Sequence, residues 1–93
     1  MPAPFEHTAL EIEEERRLLR KADADIERGW SRLRDQQELL VSLRASGQHS
    51  VAGERLVDVL LQTLIEWERH RELIVQRLRY LERGVAASSD PQG

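Results

Sequence analysis

Cysteine is absent from this 93-residue chain. Disulfides and thiolate metal sites are therefore excluded, and a reducing compartment is allowed. Aromatic residues are scarce, at 4%, whereas charged residues reach 33%. That balance fits long exposed helices better than one large core. No apolar run approaches the roughly 20 residues needed to span a bilayer. The opening stretch MPAPFEHTAL has neither the basic nor the apolar region of a secretory signal. The expectation is a cytoplasmic protein with no membrane partner.

A strong excess of one charge is also missing. The formal net charge is -3, so the overall basic footprint of a nucleic-acid binder is lacking. Arg16, Arg17, Arg20 and Lys21 do form a local basic run, directly after Glu11, Glu13, Glu14 and Glu15. Glu13 and Arg17 stand four residues apart, which on a helix makes a solvated face laced by ion pairs. Contact with phosphate or another anionic partner is the competing reading.

Proline does not occur between Pro4 and Pro91, so nothing in that span forbids long helices. Residues 1–7 read as a flexible arm. Thr8 to Glu11 reads as a capping box that opens a first helix over about 9–46. Gly47 suits the left-handed residue after a helix end, and Ser50 suits the N-cap of a second helix. The turn is thus 47–50 and the second helix about 51–83, stopped by Gly84. Residues 85–93 have the composition of a disordered tail.

Heptad spacing links the two helices. Ile12, Leu19, Ile26, Leu33 and Leu40 fall at a in the first, with Glu15, Ala22, Gly29, Gln36 and Leu43 at d. In the second, Val57, Leu64, Arg71, Leu78 and Val85 fall at a, and Leu60, Trp67, Ile74 and Leu81 at d. A short turn makes the helices antiparallel neighbours. The expected layers are Leu43 with Val57, Leu40 with Leu60, Leu33 with Trp67, Ile26 with Ile74, Ala22 with Leu78, and Leu19 with Leu81. The same alignment brings Arg44 to Glu54, Arg16 to Glu82 and Asp25 to Arg77, all of opposite charge.

The fold class read from this pattern is all-α: an antiparallel, coiled-coil-like two-helix hairpin that pairs into a dimeric four-helix bundle. The pairing is inferred from surplus apolar residues. Leu56, Val59, Leu73 and Tyr80 lie on one flank of the second seam, and Leu61 and Val75 on the other. Leu18, Trp30 and Leu39 flank the first. A soluble monomer seldom leaves such an arc in water. A second copy is the commonest cover, and an unidentified protein partner is the alternative.

The candidate interface and packing residues are Gly29, Trp30, Val59, Trp67, His70, Arg71, Leu73 and Tyr80. His70 lies four residues after Glu66, but neither the Glu-x-x-His pattern of helical metal sites nor His-Glu-x-x-His is present. The structural reading is a flanking histidine beside Asp25 or Arg32. Arg71 occupies a core position whose matching layer holds Gly29. Either that glycine makes room for Arg71 or Trp67, or it marks a kink or the approach of another chain. Gly29→Leu is then disruptive and Gly29→Ala tolerated. Gln36, polar at d, could with Arg71 fix register. Both tryptophans read as packing anchors. No catalytic, metal or cofactor residue is expected: phosphate loops are missing, and the serines lie in the turn, the tail and a polar helix side.

About half of the chain carries a further pattern. It consists of Ile26 and Gly29, Arg32 and Gln36, Leu43 and Gly47, Ser50, Leu56 and Leu60, Thr63 and Leu64, then His70 and Arg71. In this the chain resembles the short helical-hairpin proteins of rhizobia and related alphaproteobacteria. It departs at Ser50 and Gly53, where that group has threonine and a good helix former. The resemblance implies the hairpin fold and assigns no activity. The function expected is a non-enzymatic interaction or regulatory module that self-associates and binds protein. Its contact surface is the flank around Val59, Leu73 and Tyr80, or the exposed parts of the tryptophan layer. A small nucleic-acid-associated protein using Arg16 to Lys21 is the alternative.

Overall fold

The structure, a computed structural model, describes residues 4–88. They form two helices, α1 (Pro4–Ala45) and α2 (Val51–Ser88), and among the described residues there is no strand. None of the described helices is long and apolar enough to cross a membrane.

The turn forms from local signals. Gly47 takes φ +76°, a conformation that costs any residue with a Cβ. Its amide donates to the Arg44 carbonyl at 3.0 Å, and the Gln48 amide donates to the Leu43 carbonyl at 2.8 Å. This is the Schellman arrangement that satisfies the last carbonyls of a helix. Ser50 then caps α2, its Oγ accepting from the Gly53 amide at 2.9 Å.

The outer boundaries differ from expectation. α1 begins at Pro4, so Thr8 lies within the helix and does not cap it. Proline suits a first helical turn because its φ is already helical and its missing N–H needs no partner. Glu11 turns instead to His7 and Arg77, at 2.9 and 3.8 Å. α2 also passes through Gly84 and reaches Ser88. A helical glycine costs only about 1 kcal/mol relative to alanine. Val85 beyond it packs on the cluster of Ile12, Leu78 and Leu81, and that burial offsets the cost. Of the expected arm and tail, residues 1–3 and 89–93 lie outside the described residues.

Two compact units divide the chain, and each is an antiparallel helix pair. In the terminal unit, α1 up to Asp23 meets α2 from His70 onward. Its core is Ile12, Leu78 and Leu81, with Leu19 and Val85 against it. The expected Arg16–Glu82 pair is present at 4.0 Å.

The turn unit holds Ala24–Arg69. Ile26, Leu33 and Leu64 are its buried cluster, with Val57, Leu60 and Leu61 packed around them. Leu64 is the most buried side chain, 2% exposed. Gly53 is buried as well: a Cβ there would stand 2.9 Å from Leu40 Cδ2 and 3.0 Å from Ser50 Oγ. The glycine at this position therefore has a packing cause. Half-buried Gln36 lies beside it.

Candidate functional site

The turn unit opens on one side into a groove of about 540 Å³. Asp25, Arg28 and Arg32 form its α1 rim. Its floor is Gly29 with Leu60, Leu64 and Trp67, and Thr63 stands on the α2 rim. At Gly29 the helices approach closely, and Leu64 and Trp67 occupy the space that its missing side chain leaves. A Cβ at that position would lie 2.7 Å from Leu64 Cδ2 and 3.3 Å from Trp67 Cζ3.

Residues seven apart on a helix return to nearly one face, and those three or four apart are neighbours. Arg32 is thus followed along α1 by Asp35 and Leu39. Thr63 is flanked along α2 by Leu56, Val59 and Glu66. Leu39 is 50% exposed and Val59 54%, and Leu56 is exposed too. Thr63 itself donates its hydroxyl to the Val59 carbonyl at 2.8 Å, which leaves this stretch of α2 locally apolar.

Charges at and beside the groove are unevenly matched. Arg28 pairs with Asp25 within α1. Arg32 is exposed. Glu66 meets Arg69 at 3.5 Å with both side chains largely in water, a geometry of little energetic consequence.

Three expected arrangements change. Trp67 does not form a buried layer with Leu33: Leu33 packs in the Leu64 cluster, and Trp67 rides over Gly29 with 38% of its surface exposed. Leu64 is the slimmer side chain and fits the close approach that Gly29 permits. Arg71 is not the residue that fills the Gly29 notch. It lies in the terminal unit, where its Nε donates to Asp23 Oδ1 at 2.5 Å. A guanidinium keeps its hydration and a carboxylate partner there, which burial at a core position would remove. Asp25, expected beside Arg77, binds Arg28, whereas Arg77 Nε donates to Glu15 Oε1 at 3.0 Å. The i,i+3 partner on the same helix is reached with less side-chain ordering.

The remaining candidates are exposed. Trp30 is 43% exposed and donates Nε1 to Glu68 Oε1 at 3.5 Å. His70 is exposed, as are Leu73 and Tyr80 in the terminal unit. The Arg44–Glu54 pair falls where the sequence places it, at 3.2 Å. In the basic run, Arg17 bonds Glu14 at 2.5 and 3.0 Å, and those bonds hold the Glu14 carboxyl below its ordinary range. Arg16 faces Glu82. Arg16 and Arg17 of the run are thus engaged with carboxylates of the chain itself.

Heptad reasoning missed the groove, which needs the helices to be brought together before it exists. The signal was Gly29 beside two arginines of one face. Comparisons of the chain with protein-family models, curated proteins and solved structures return no match.

Proposed function

We propose that the chain is a non-enzymatic helical interaction module that self-associates, two copies forming a four-helix bundle in the cytoplasm, with binding of protein as its mode of action. The observation that carries this reading is the exposure of apolar residues beside seams that are already filled. In the turn unit these are Leu39, Leu56, Val59 and Trp67; in the terminal unit they are Leu73 and Tyr80. Each leucine-sized side chain removed from water contributes about 1.5–3 kcal/mol. Several per copy, counted on both copies, offset an association cost of about 4–15 kcal/mol.

Light scattering on the purified chain at tens of micromolar tests the reading, with the mass of a dimer expected. A monomer overturns self-association. A salt-dependent mobility shift of duplex or single-stranded nucleic acid overturns the choice of protein as the partner, because phosphate contacts weaken steeply with salt.

A further inference from the structure

We infer that an exposed stripe of α2 seats the same stripe of a second copy, the two helices running antiparallel, with Glu66 of each copy facing His70 of the other. This rests on the self-association proposed above and names the face, the direction and the residues that make it.

The stripe belongs to one element, because α2 is a single helix from Val51 to Ser88. It runs from Leu56 to Tyr80 in alternating steps of three and four residues, the spacing of a coiled-coil seam. Leu56 and Val59 lie toward one end and Leu73 and Tyr80 toward the other, each 45% exposed or more. Thr63 adds a methyl group, since its hydroxyl already donates to the Val59 carbonyl. The hairpin seam lies on a different face of α2, where Leu64, Ile74, Leu78 and Leu81 are buried. Over the same span, the side of α2 away from both faces is polar except at Ile65. The stripe is therefore a second seam and not a scatter of apolar residues.

The order of its side chains decides direction and register. Parallel packing sets each residue against its own counterpart, so that Glu66 meets Glu66 and Arg77 meets Arg77, which like charge disfavours. Antiparallel packing about a two-fold axis perpendicular to α2 overlaps the whole stripe when its midpoint falls between Glu66 and His70. Leu56 then meets Tyr80 of the second copy, Val59 its Arg77, Thr63 its Leu73 and Glu66 its His70. Each contact occurs twice. The Glu66 carboxylate thus faces an imidazole N–H donor, although overlap alone set the register. Glu66 is free to turn to it, being held only at arm's length by Arg69. Arg77 is no misfit against Val59: its Nε donates to Glu15 of its own chain at 3.0 Å, which leaves its aliphatic stem to cover the valine. A shift of one heptad leaves Leu56 and Val59, or Arg77 and Tyr80, without a counterpart. Full overlap removes the patch a soluble chain avoids exposing.

The test is cross-linking between copies. The native chain has no cysteine, so Thr63→Cys and Leu73→Cys are made in separate chains and mixed under oxidation. A disulfide-linked mixed dimer is expected, with little linkage of either chain to itself. A Thr63→Cys chain that links to itself shows parallel packing and overturns the pairing. A second measurement reads charge, by light scattering with helix content checked by circular dichroism. His70→Glu sets carboxylates against each other at both contacts and weakens the dimer by at least about tenfold. Mixing it with a Glu66→Lys chain restores the dimer, because one contact of the mixed pair is then native and the other joins lysine to glutamate. Should His70→Glu lose helix, the disulfide measurement decides. A wild-type dimer whose cysteine variants give no mixed disulfide, or that His70→Glu leaves intact, overturns the pairing and leaves self-association standing. A monomeric wild type overturns both.

Discussion

Leu64 presses a terminal methyl onto Gly29, so that a Cβ added to the glycine would stand 2.7 Å away. Leu64 is also the most buried side chain, and its room to retreat is small. An exposed mid-helix glycine gains about 1 kcal/mol on replacement by alanine. Here overpacking of about 1–3 kcal/mol opposes that gain, and Gly29→Ala is expected to lower stability by about 1 kcal/mol. Gly29→Leu is expected to cost several times more. Urea unfolding of both variants checks this; a more stable Gly29→Ala would show that Leu64 yields freely.

Gly47 and Gly84 form a matched pair of opposite sign. Gly47 has φ +76°, and alanine there is expected to cost about 1 kcal/mol. Gly84 is helical, and a Cβ there would meet nothing within 4 Å. Gly84→Ala is expected to raise stability by up to about 1 kcal/mol. Thermal unfolding of the two alanine variants should shift in opposite directions.

The start of α2 depends on Ser50 twice. Its hydroxyl caps the Gly53 amide, and the same atom would lie 3.0 Å from a Cβ at that residue. Ser50→Ala is expected to cost about 1 kcal/mol through the lost cap. Gly53→Ala should cost a similar amount by pushing on Leu40 and on the cap together. The two losses should not add, because the first change removes an atom that obstructs the second. A double-mutant cycle reads the difference.

Two ion pairs should differ in weight. Glu15 is 13% exposed where it bonds Arg77, and a double-mutant cycle there is expected to give about 1 kcal/mol. Glu14 and Arg17 are in open water, and Glu14→Gln should leave stability within error of wild type. The Glu14 carboxyl is nonetheless held below its ordinary range, chiefly by its hydrogen bond to Arg17. A lowered folded value contributes stability above the unfolded value and loses it as pH falls through the folded one. In an NMR titration, Arg17→Gln is therefore expected to move the Glu14 midpoint upward.

Local chemistry was legible without the fold. The Gly47 stop, the Ser50 cap and the alternation of seam residues all act within one or two helical turns. Their neighbours in sequence are their neighbours in space. The same logic failed at Thr8 and Gly84, where a local signal was real but weaker than its competitor. Pro4 can open a helix earlier than Thr8, and the packing of Val85 carries α2 past a glycine. The Asp25–Arg77 pairing failed for a related reason, since each residue reached a different partner, Arg28 and Glu15.

By itself, then, the sequence determined that this protein is two helices joined at Gly47, with leucine and isoleucine along one stripe of each. Those outcomes follow from backbone sterics, capping bonds and the periodicity of apolar residues. Only the tertiary structure decided that Leu64 fills the Gly29 notch, that Trp67 stays partly in water and that Arg71 seeks Asp23. A heptad pattern admits several rotations and levels of one helix against the other at little difference in energy. The choice among them is made by side-chain volumes meeting across the seam, which no single stretch of sequence contains.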